Sequence, residues 1–140
     1  KKTRFKMRDE FDQLPGAEGW QLSNPPILSM AAIRASLDVF ANAGFDKLCK
    51  KSIQLTGYFE FLLNELNNSD IKIITPSNPE ERGCQLSVLT GENGKDLFDH
   101  LTKQGVIADW REPNVIRMAP VPLYNSFMDI YRFGQILKSY

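Results

Sequence analysis

The fold of this chain is organised around residues 113–124, which read PNVIRMAPVPLY. Side chains of a strand alternate between its two faces, so Ile116 and Met118 share one face while Val115 and Arg117 share the other. On a face that is fully in contact with solvent, a polar residue would be favoured over the valine beside the arginine. The stretch therefore predicts a short strand that carries one arginine among apolar residues.

Two prolines stiffen the chain after this arginine. Pro120 and Pro122 each fix φ and lack a backbone N–H, so the chain cannot continue as a central strand. A guanidinium held at such a point is a planar fork of donors that suits bidentate binding of a carboxylate or a phosphate. A structural ion pair, or an arginine in solvent at a strand end, also explains Arg117, and the residues alone leave these roles open.

The composition limits the functions that this chain can have. Its 140 residues suit one domain, and 42% of them are hydrophobic, as in an ordered globular protein. Lys+Arg and Asp+Glu each number 17, so there is no basic excess to neutralise nucleic acid or an anionic membrane. No apolar run is long enough to span a membrane, and no signal peptide opens the sequence. We expect a cytoplasmic protein with no nucleic-acid or membrane partner.

The cysteines and the histidine give no signal of a metal site or a catalytic centre. Cys49 and Cys84 are far apart and have no His or Cys neighbour at ligand spacing. In a cytoplasmic protein we expect both to be buried, reduced thiols. His100 is the sole histidine and falls inside a predicted helix, where a surface or hydrogen-bonded histidine is far commoner than a catalyst.

Periodicity predicts the order helix, helix, strand, strand, helix, strand, strand, helix. Apolar residues recur at helical spacing in residues 25–43, 45–66, 93–104 and from 126 towards the end. Alternating residues predict strands at 71–74, 84–89, 106–110 and 115–118. This order indicates an α+β fold, a small and mostly antiparallel sheet of about four strands with helices packed on one face.

Capping residues mark the ends of the predicted helices. We expect Asn24 to cap the first helix, with two prolines in its first turn, and Gly44 to end it. Further signals are a capping box of Asn93 and Asp96, Gly105 after the third helix, and Asn125 or Ser126 before the last. In the last helix we expect six residues to face inward: Phe127, Ile130, Tyr131, Phe133, Ile136 and Leu137.

Two further places are candidate sites. A helix N-terminus attracts anions, so Asn24, with Ser23 and the N–H of Ile27, is a candidate anion site, although the prolines between them remove two donors. A plain N-cap also explains Asn24 fully. Arg82 stands directly before Gly83 and a predicted strand, where it could orient its loop by pairing with a carboxylate.

Four separated blocks of the sequence resemble kynureninases. In order along the chain they are residues 23–27 (SNPPI), 50–58 (KKSIQLTGY), 80–86 (EERGCQL) and 116–127 (IRMAPVPLYNSF). The opening residues 3–7 (TRFKM) also match that family. The likeness covers nearly the whole chain, so the chain resembles the C-terminal small domain of these enzymes.

The resemblance implies a fold, a reaction and a set of site residues. Kynureninases are homodimeric pyridoxal-phosphate enzymes of the aspartate-aminotransferase fold, which hydrolyse kynurenine or 3-hydroxykynurenine to an anthranilate and alanine, on the route from tryptophan towards NAD. By resemblance, residues 1–19 lead from a large catalytic domain and residues 20–140 form the small domain. Asn24 matches the asparagine that helps hold the cofactor phosphate from the neighbouring subunit. Arg117 matches the arginine that pairs with the substrate α-carboxylate, and Ser23 is a second, weaker candidate for substrate binding.

The resemblance also implies what these 140 residues do not contain. The Schiff-base lysine of the family lies in the large domain, so no catalytic residue and no metal site is assigned here, and the chain alone is expected to be inactive. Two other interpretations stay open. One is a free-standing α+β module that binds a small carboxylate through Arg117, and the other is the small domain of a related aminotransferase or cysteine desulfurase, against which block 80–86 counts.

Overall fold

The computed structural model describes residues 6–7, 9–66 and 68–140 of the chain. The chain divides into two compact units, the first ending at Val39 and the second comprising Phe40–Tyr140. Residues 3–5 of the opening block lie outside the described residues. The predicted role of residues 1–19, which concerns a domain outside this chain, stays a prediction.

The first unit contains a 3-10 turn, Ala17–Trp20, and most of helix α1, Ile27–Ala43. The helix starts two residues later than predicted. The Met30 N–H donates to the Pro26 carbonyl at 2.9 Å, so Pro26 provides the first carbonyl of the helix and Asn24 lies two residues further out. No residue of α1 is buried.

Gly44 separates α1 from the next helix, as predicted. Its φ of 84° lies in the left-handed region, which glycine adopts without the cost of a Cβ clash. The second unit then contains α2 (Phe45–Glu65), β1 (Ile71–Ile73), β2 (Leu86–Thr90), α3 (Gly94–Lys103), β3 (Asp109–Arg111), β4 (Val115–Met118) and α4 (Phe127–Lys138). The order of helices and strands is the predicted one, with ends displaced by a few residues.

The four strands form one antiparallel sheet in the order β1-β2-β4-β3. Strand β4 lies between two neighbours, with Arg117 opposite Ser87 of β2 and opposite Asp109 of β3. This sheet and the helices beside it confirm the predicted small α+β fold.

One face of the sheet forms the core with the helices. The buried cluster draws Leu86 and Val88 from β2, Ile116 and Met118 from β4, and apolar residues from α2, α3 and α4. At its centre the ring of Phe59 on α2 meets the ring of Phe133 on α4 edge to face, with centroids 5.1 Å apart. The residues that alternate with the buried ones, Arg117 among them, therefore point to the opposite face of the sheet.

The inward face of α4 is narrower than predicted. Ile130, Phe133 and Leu137 are buried, but Phe127 and Tyr131 are 45% and 49% exposed, so the prediction is wrong for these two. Helix α4 meets α2 along a single stripe at spacing i, i+3, i+7, where Gly134 allows Leu62 of α2 to approach closely. Residues beside that stripe stay in contact with solvent.

Two further sequence predictions are wrong in detail. Asn93 precedes α3 with φ −87° and ψ 16°, and its side chain accepts no capping hydrogen bond. A capping box forms instead at α4, where Ser126 and Asp129 bond reciprocally. Cys49 is exposed and Cys84 is half-buried, both as free thiols, because Cys49 lies outside the buried stripe of α2.

Thr90 ties the end of β2 to the start of β4. Its N–H and its hydroxyl both donate to the Asn114 carbonyl at 2.9 Å, and Asn114 Nδ2 donates back to the Thr90 carbonyl at 3.1 Å. Gly94, the first residue of α3, packs directly on this threonine. A Cβ at Gly94 would collide with Thr90 Oγ1 and would lie 2.7 Å from Thr90 Cβ.

Replacing Gly94 by alanine should therefore destabilise the chain although alanine favours helices. Thr90 is 4% exposed and its hydroxyl is held by Asn114, so it cannot move aside cheaply. We expect Gly94→Ala to lower the free energy of unfolding by about 1–3 kcal/mol, measured by urea denaturation. The matched control is Gly57→Ala within α2, where no atom lies within 4 Å of the new Cβ. That change should be stabilising by about 0.5–1 kcal/mol, and equal effects at the two positions would contradict the assignment.

Candidate functional site

Arg117 lies at the centre of the sheet, on the face opposite the helices. Its side chain is 34% exposed, and α2, α3 and α4 pack on the other face of the sheet. The predicted alternation, with Arg117 on the face shared with Val115, is confirmed.

The Arg117 guanidinium is paired with Asp109, its cross-strand neighbour. Nε donates to Asp109 Oδ2 at 2.9 Å, and Nη2 donates to the same oxygen. Nη2 of Arg111, two residues along β3, also reaches this oxygen, at 3.0 Å. We call Arg111, Asp109 and Arg117 the charge cluster.

The cluster keeps Asp109 ionised. The hydrogen bond from Arg117 lowers the pKa of Asp109 below its ordinary value of 3.8, partial desolvation opposes this, and the charges of Arg111 and Arg117 reinforce it. Two guanidiniums and one carboxylate leave a net charge of +1. A solvent-accessible group of this charge, with fixed donors, is suited to bind one more carboxylate.

The segment after β4 is tied down, as its prolines predict. Nζ of Lys51 on α2 donates to the Pro122 carbonyl at 2.7 Å. Within the segment, the Val121 N–H donates to Asn125 Oδ1 at 2.9 Å and the Asn125 N–H donates to the Val121 carbonyl at 2.8 Å. These contacts hold the chain that leaves Arg117 in one conformation.

A cavity of about 490 Å³ opens beside this segment, on the helix side of the sheet. Phe59, Met118, Pro120 and Phe133 line it, and Arg117 does not. Its carboxylate, Asp129, is already engaged in capping α4. The cavity is lined by one arginine, Arg132, whereas two guanidiniums converge at Arg117, which is therefore the stronger candidate for an anion site.

Asn24 and Ser23 lie in the first unit and are exposed. The Ser23 carbonyl accepts a hydrogen bond from Gln21 Nε2 at 2.6 Å. After them, the N–H groups of Ile27, Leu28 and Ser29 belong to the first turn of α1 and have no intrahelical acceptor. Neutral donors at a helix N-terminus suit a phosphate, so these residues fit the phosphate group of a cofactor. Asn24 and Arg117 belong to different units.

Arg82 pairs with a carboxylate, as its place in the sequence suggested. Its Nη1 lies 2.6 Å from Glu60 Oε2 on α2, and the two side chains are 4% and 17% exposed. Nη1 also donates to the Pro76 carbonyl at 3.2 Å. Through these two contacts Arg82 attaches the loop between β1 and β2 to α2. Burial alone would raise the pKa of Glu60, but hydrogen bonds from Ser77 and Arg82 and the charge of Arg82 together lower it below 4.5.

Among the described residues, His100 and the possible metal ligands do not form a second functional site. His100 lies in α3 as predicted, with its ring 5.2 Å from that of Tyr140, but its Nε2 is buried and has no partner among the described residues. In the described ranges, no three His, Cys, Asp or Glu residues come together as metal ligands.

The sequence pattern did not single out Asp109 and Arg111 as site residues. Their signal is the alternation Asp109-Trp110-Arg111, which puts both charges on one face of β3 and the aromatic ring on the other. That face becomes the Arg117 face only through the register between β3 and β4, which the sequence does not state.

The fold and this cluster define a class of protein, a small α+β domain with an arginine–aspartate–arginine cluster on the face of its sheet opposite the helical core. The chain belongs to the kynureninase C-terminal domain family, which matches residues 48–137. Kynureninases of Flavobacterium psychrophilum and Flavobacterium johnsoniae are 56% and 57% identical to it over 141 residues, or 99% of this chain and 33% of each relative. That of Koribacter versatilis is 54% identical over 133 residues, or 95% of this chain and 31% of the relative. The chain thus spans about a third of the length of the curated relatives it matches.

This membership confirms the resemblance drawn from the four blocks and the assignment of the chain as a part of a kynureninase. In the portion of the chain that the structure covers, no helix combines the length and the apolar character that crossing a membrane requires.

The buried pair of Arg82 and Glu60 predicts a stability effect that depends on which charge is removed. Arg82→Met leaves a carboxylate without its partner, so we expect a loss of about 3–5 kcal/mol in urea denaturation. The double variant Arg82→Met with Glu60→Met buries no charge and should recover most of that loss. Full stability of the single variant would show that the pair does not hold the loop.

The same pair predicts that the free energy of unfolding decreases at acid pH. Because the pKa of Glu60 is lower in the folded than in the unfolded chain, its contribution is complete above about pH 4.5 and is lost as the pH falls through the folded pKa. Glu60→Gln should reduce this decrease in the free energy of unfolding, measured by urea denaturation at a series of acid pH values.

Proposed function

We propose that this chain forms the part of a pyridoxal-phosphate-dependent kynureninase that orients the substrate. The complete enzyme would hydrolyse kynurenine or 3-hydroxykynurenine to an anthranilate and alanine, in tryptophan degradation and NAD biosynthesis. The Arg117 guanidinium carries this proposal. It is held in place, solvent-accessible and part of a cluster with net charge +1, which the α-carboxylate of an amino acid would neutralise.

Orientation is the physical contribution of such an arginine. Two parallel N–H···O bonds fix the plane of a carboxylate, and with it the directions of the bonds at the adjacent α-carbon. Pyridoxal phosphate, when bound, would supply an electron sink at that carbon, and the bond hydrolysed to give an anthranilate and alanine lies one carbon further along, between the side-chain methylene and the aryl carbonyl. The chain's own residues hold the substrate so that the bond to be broken is presented in one direction.

The proposal also includes the partners and the location that the sequence and its resemblance to kynureninases predict. The chain would act with a larger catalytic part and within a homodimer, in the cytoplasm, without nucleic acid or membrane. Asn24 would hold the cofactor phosphate through its side-chain amide, with the N–H groups of the first turn of α1 as further donors, and Ser23 beside it stays the weaker candidate for substrate binding.

Arg117→Lys in the full-length protein tests the substrate site. Lysine keeps the charge but loses the two-point clamp, so kcat/KM should fall by about 2–4 kcal/mol of transition-state stabilisation, or roughly 30- to 1,000-fold. The thermal midpoint is measured on the same variant. A stable protein with near-normal kinetics excludes the clamp, and an unstable protein shows that the pair with Asp109 is structural.

Asn24→Ala in the full-length protein tests the cofactor contact. Loss of one charge-assisted hydrogen bond should weaken cofactor binding by about 1.5–3 kcal/mol, or roughly 10- to 150-fold in the dissociation constant. Equilibrium dialysis of pyridoxal phosphate measures this without requiring turnover. Ser23→Ala is the matched control and should have the smaller effect, and an unchanged dissociation constant in Asn24→Ala would place the phosphate elsewhere.

A further inference from the structure

The carboxylate of Asp109 occupies only one edge of the Arg117 guanidinium. Both hydrogen bonds run to the same oxygen from Nε and Nη2. Within the described part of the chain, Nη1 makes no hydrogen bond. A guanidinium has a second two-donor edge, formed by Nη1 and Nη2, and this edge suits a bidentate carboxylate.

The backbone keeps Asp109 in this position. Asp109 and Arg117 are directly paired residues of an antiparallel ladder, so the backbone holds their Cβ atoms close together. The Asp109 carboxylate therefore stays within reach of the guanidinium as long as β3 and β4 are paired.

A fixed carboxylate beside an anion site also repels the anion. In this cluster Arg111 offsets that repulsion, since its Nη2 lies 3.0 Å from the same Asp109 oxygen. With Arg111 the cluster carries a net charge of +1, and without Arg111 it would be neutral. The three side chains are all partly exposed, at 59%, 45% and 34% for Arg111, Asp109 and Arg117, so a ligand can reach them.

We propose that Asp109 and Arg111 are positioning residues of the carboxylate site: Asp109 aligns Arg117 through its Nε edge, and Arg111 cancels the charge of Asp109. This inference rests on the proposed function and extends it from one arginine to a cluster of three residues. Affinity for the substrate carboxylate then depends on two side chains of β3. Asp109 fixes the orientation of Arg117, and Arg111 offsets the negative charge of Asp109.

The test measures how much a ligand gains from its carboxylate. In the full-length protein, competitive inhibition constants are determined for L-homophenylalanine and for 3-phenylpropylamine, the same molecule without the carboxylate. The ratio of the amine constant to the acid constant is the carboxylate preference. Damage to the fold changes both constants together, whereas a misaligned Arg117 raises only that of the acid.

Asp109→Asn removes the charge that aligns Arg117 at nearly constant shape. We expect the carboxylate preference to fall about tenfold, with the amine constant unchanged. Tighter binding of the acid would overturn the proposal, because Asp109 would then be a competitor of the ligand. An unchanged preference, or equal weakening of both ligands, overturns it as well.

Two substitutions of Arg111 form a matched pair, and they test the proposal even if Asp109→Asn does not fold. Arg111→Lys keeps the charge and should retain the preference, while Arg111→Gln should lower it about fivefold. Equal preferences in these two variants would overturn the role of Arg111. Arg117→Lys is the reference: if it leaves the preference intact, the proposed function fails, and if it alone lowers the preference, only the present inference fails.

Discussion

Strand β4 hydrogen-bonds to a neighbour on each side. The alternation of its side chains decides which face of the sheet packs in the core and which face carries Arg117. Ile116 and Met118 enter the core with Leu86 and Val88 of β2, so every residue between them is directed to the other face. A shift of one residue in this pairing would bury Arg117 beneath the helices and expose the isoleucine. Burial of the apolar face is thus the interaction that presents the arginine.

The open face of the sheet concentrates the charges that the core cannot accept. Asp109 and Arg111 of β3 come beside Arg117 because Trp110, between them, packs on the core side. The same apolar pattern that stabilises the domain therefore brings these three charges together. The proposed function places a substrate carboxylate at the Arg117 guanidinium of this cluster.

A few polar contacts in partly buried positions hold the loops to this framework. Arg82 ties the β1–β2 loop to α2 through Glu60, Lys51 ties the proline segment to the same helix through the Pro122 carbonyl, and Thr90 ties β2 to the start of β4. Each joins residues far apart in the chain, where removal of one partner leaves a polar group unpaired. Helix α2 is consequently both a wall of the core and the anchor for two loops.

The sequence by itself determined the order of the helices and strands, the alternation in β4, the break at Gly44, a capping signal at Asn125 or Ser126 before α4, and the two blocks that contain Asn24 and Arg117. These are local properties, because periodicity, turn chemistry and motif spacing are carried by neighbouring residues. Tertiary structure alone decided that Asp109 and Arg111 join Arg117, that Glu60 is the partner of Arg82, and that Phe127 and Tyr131 face solvent. Strand register and helix contact stripes depend on packing between distant segments, which no local pattern specifies.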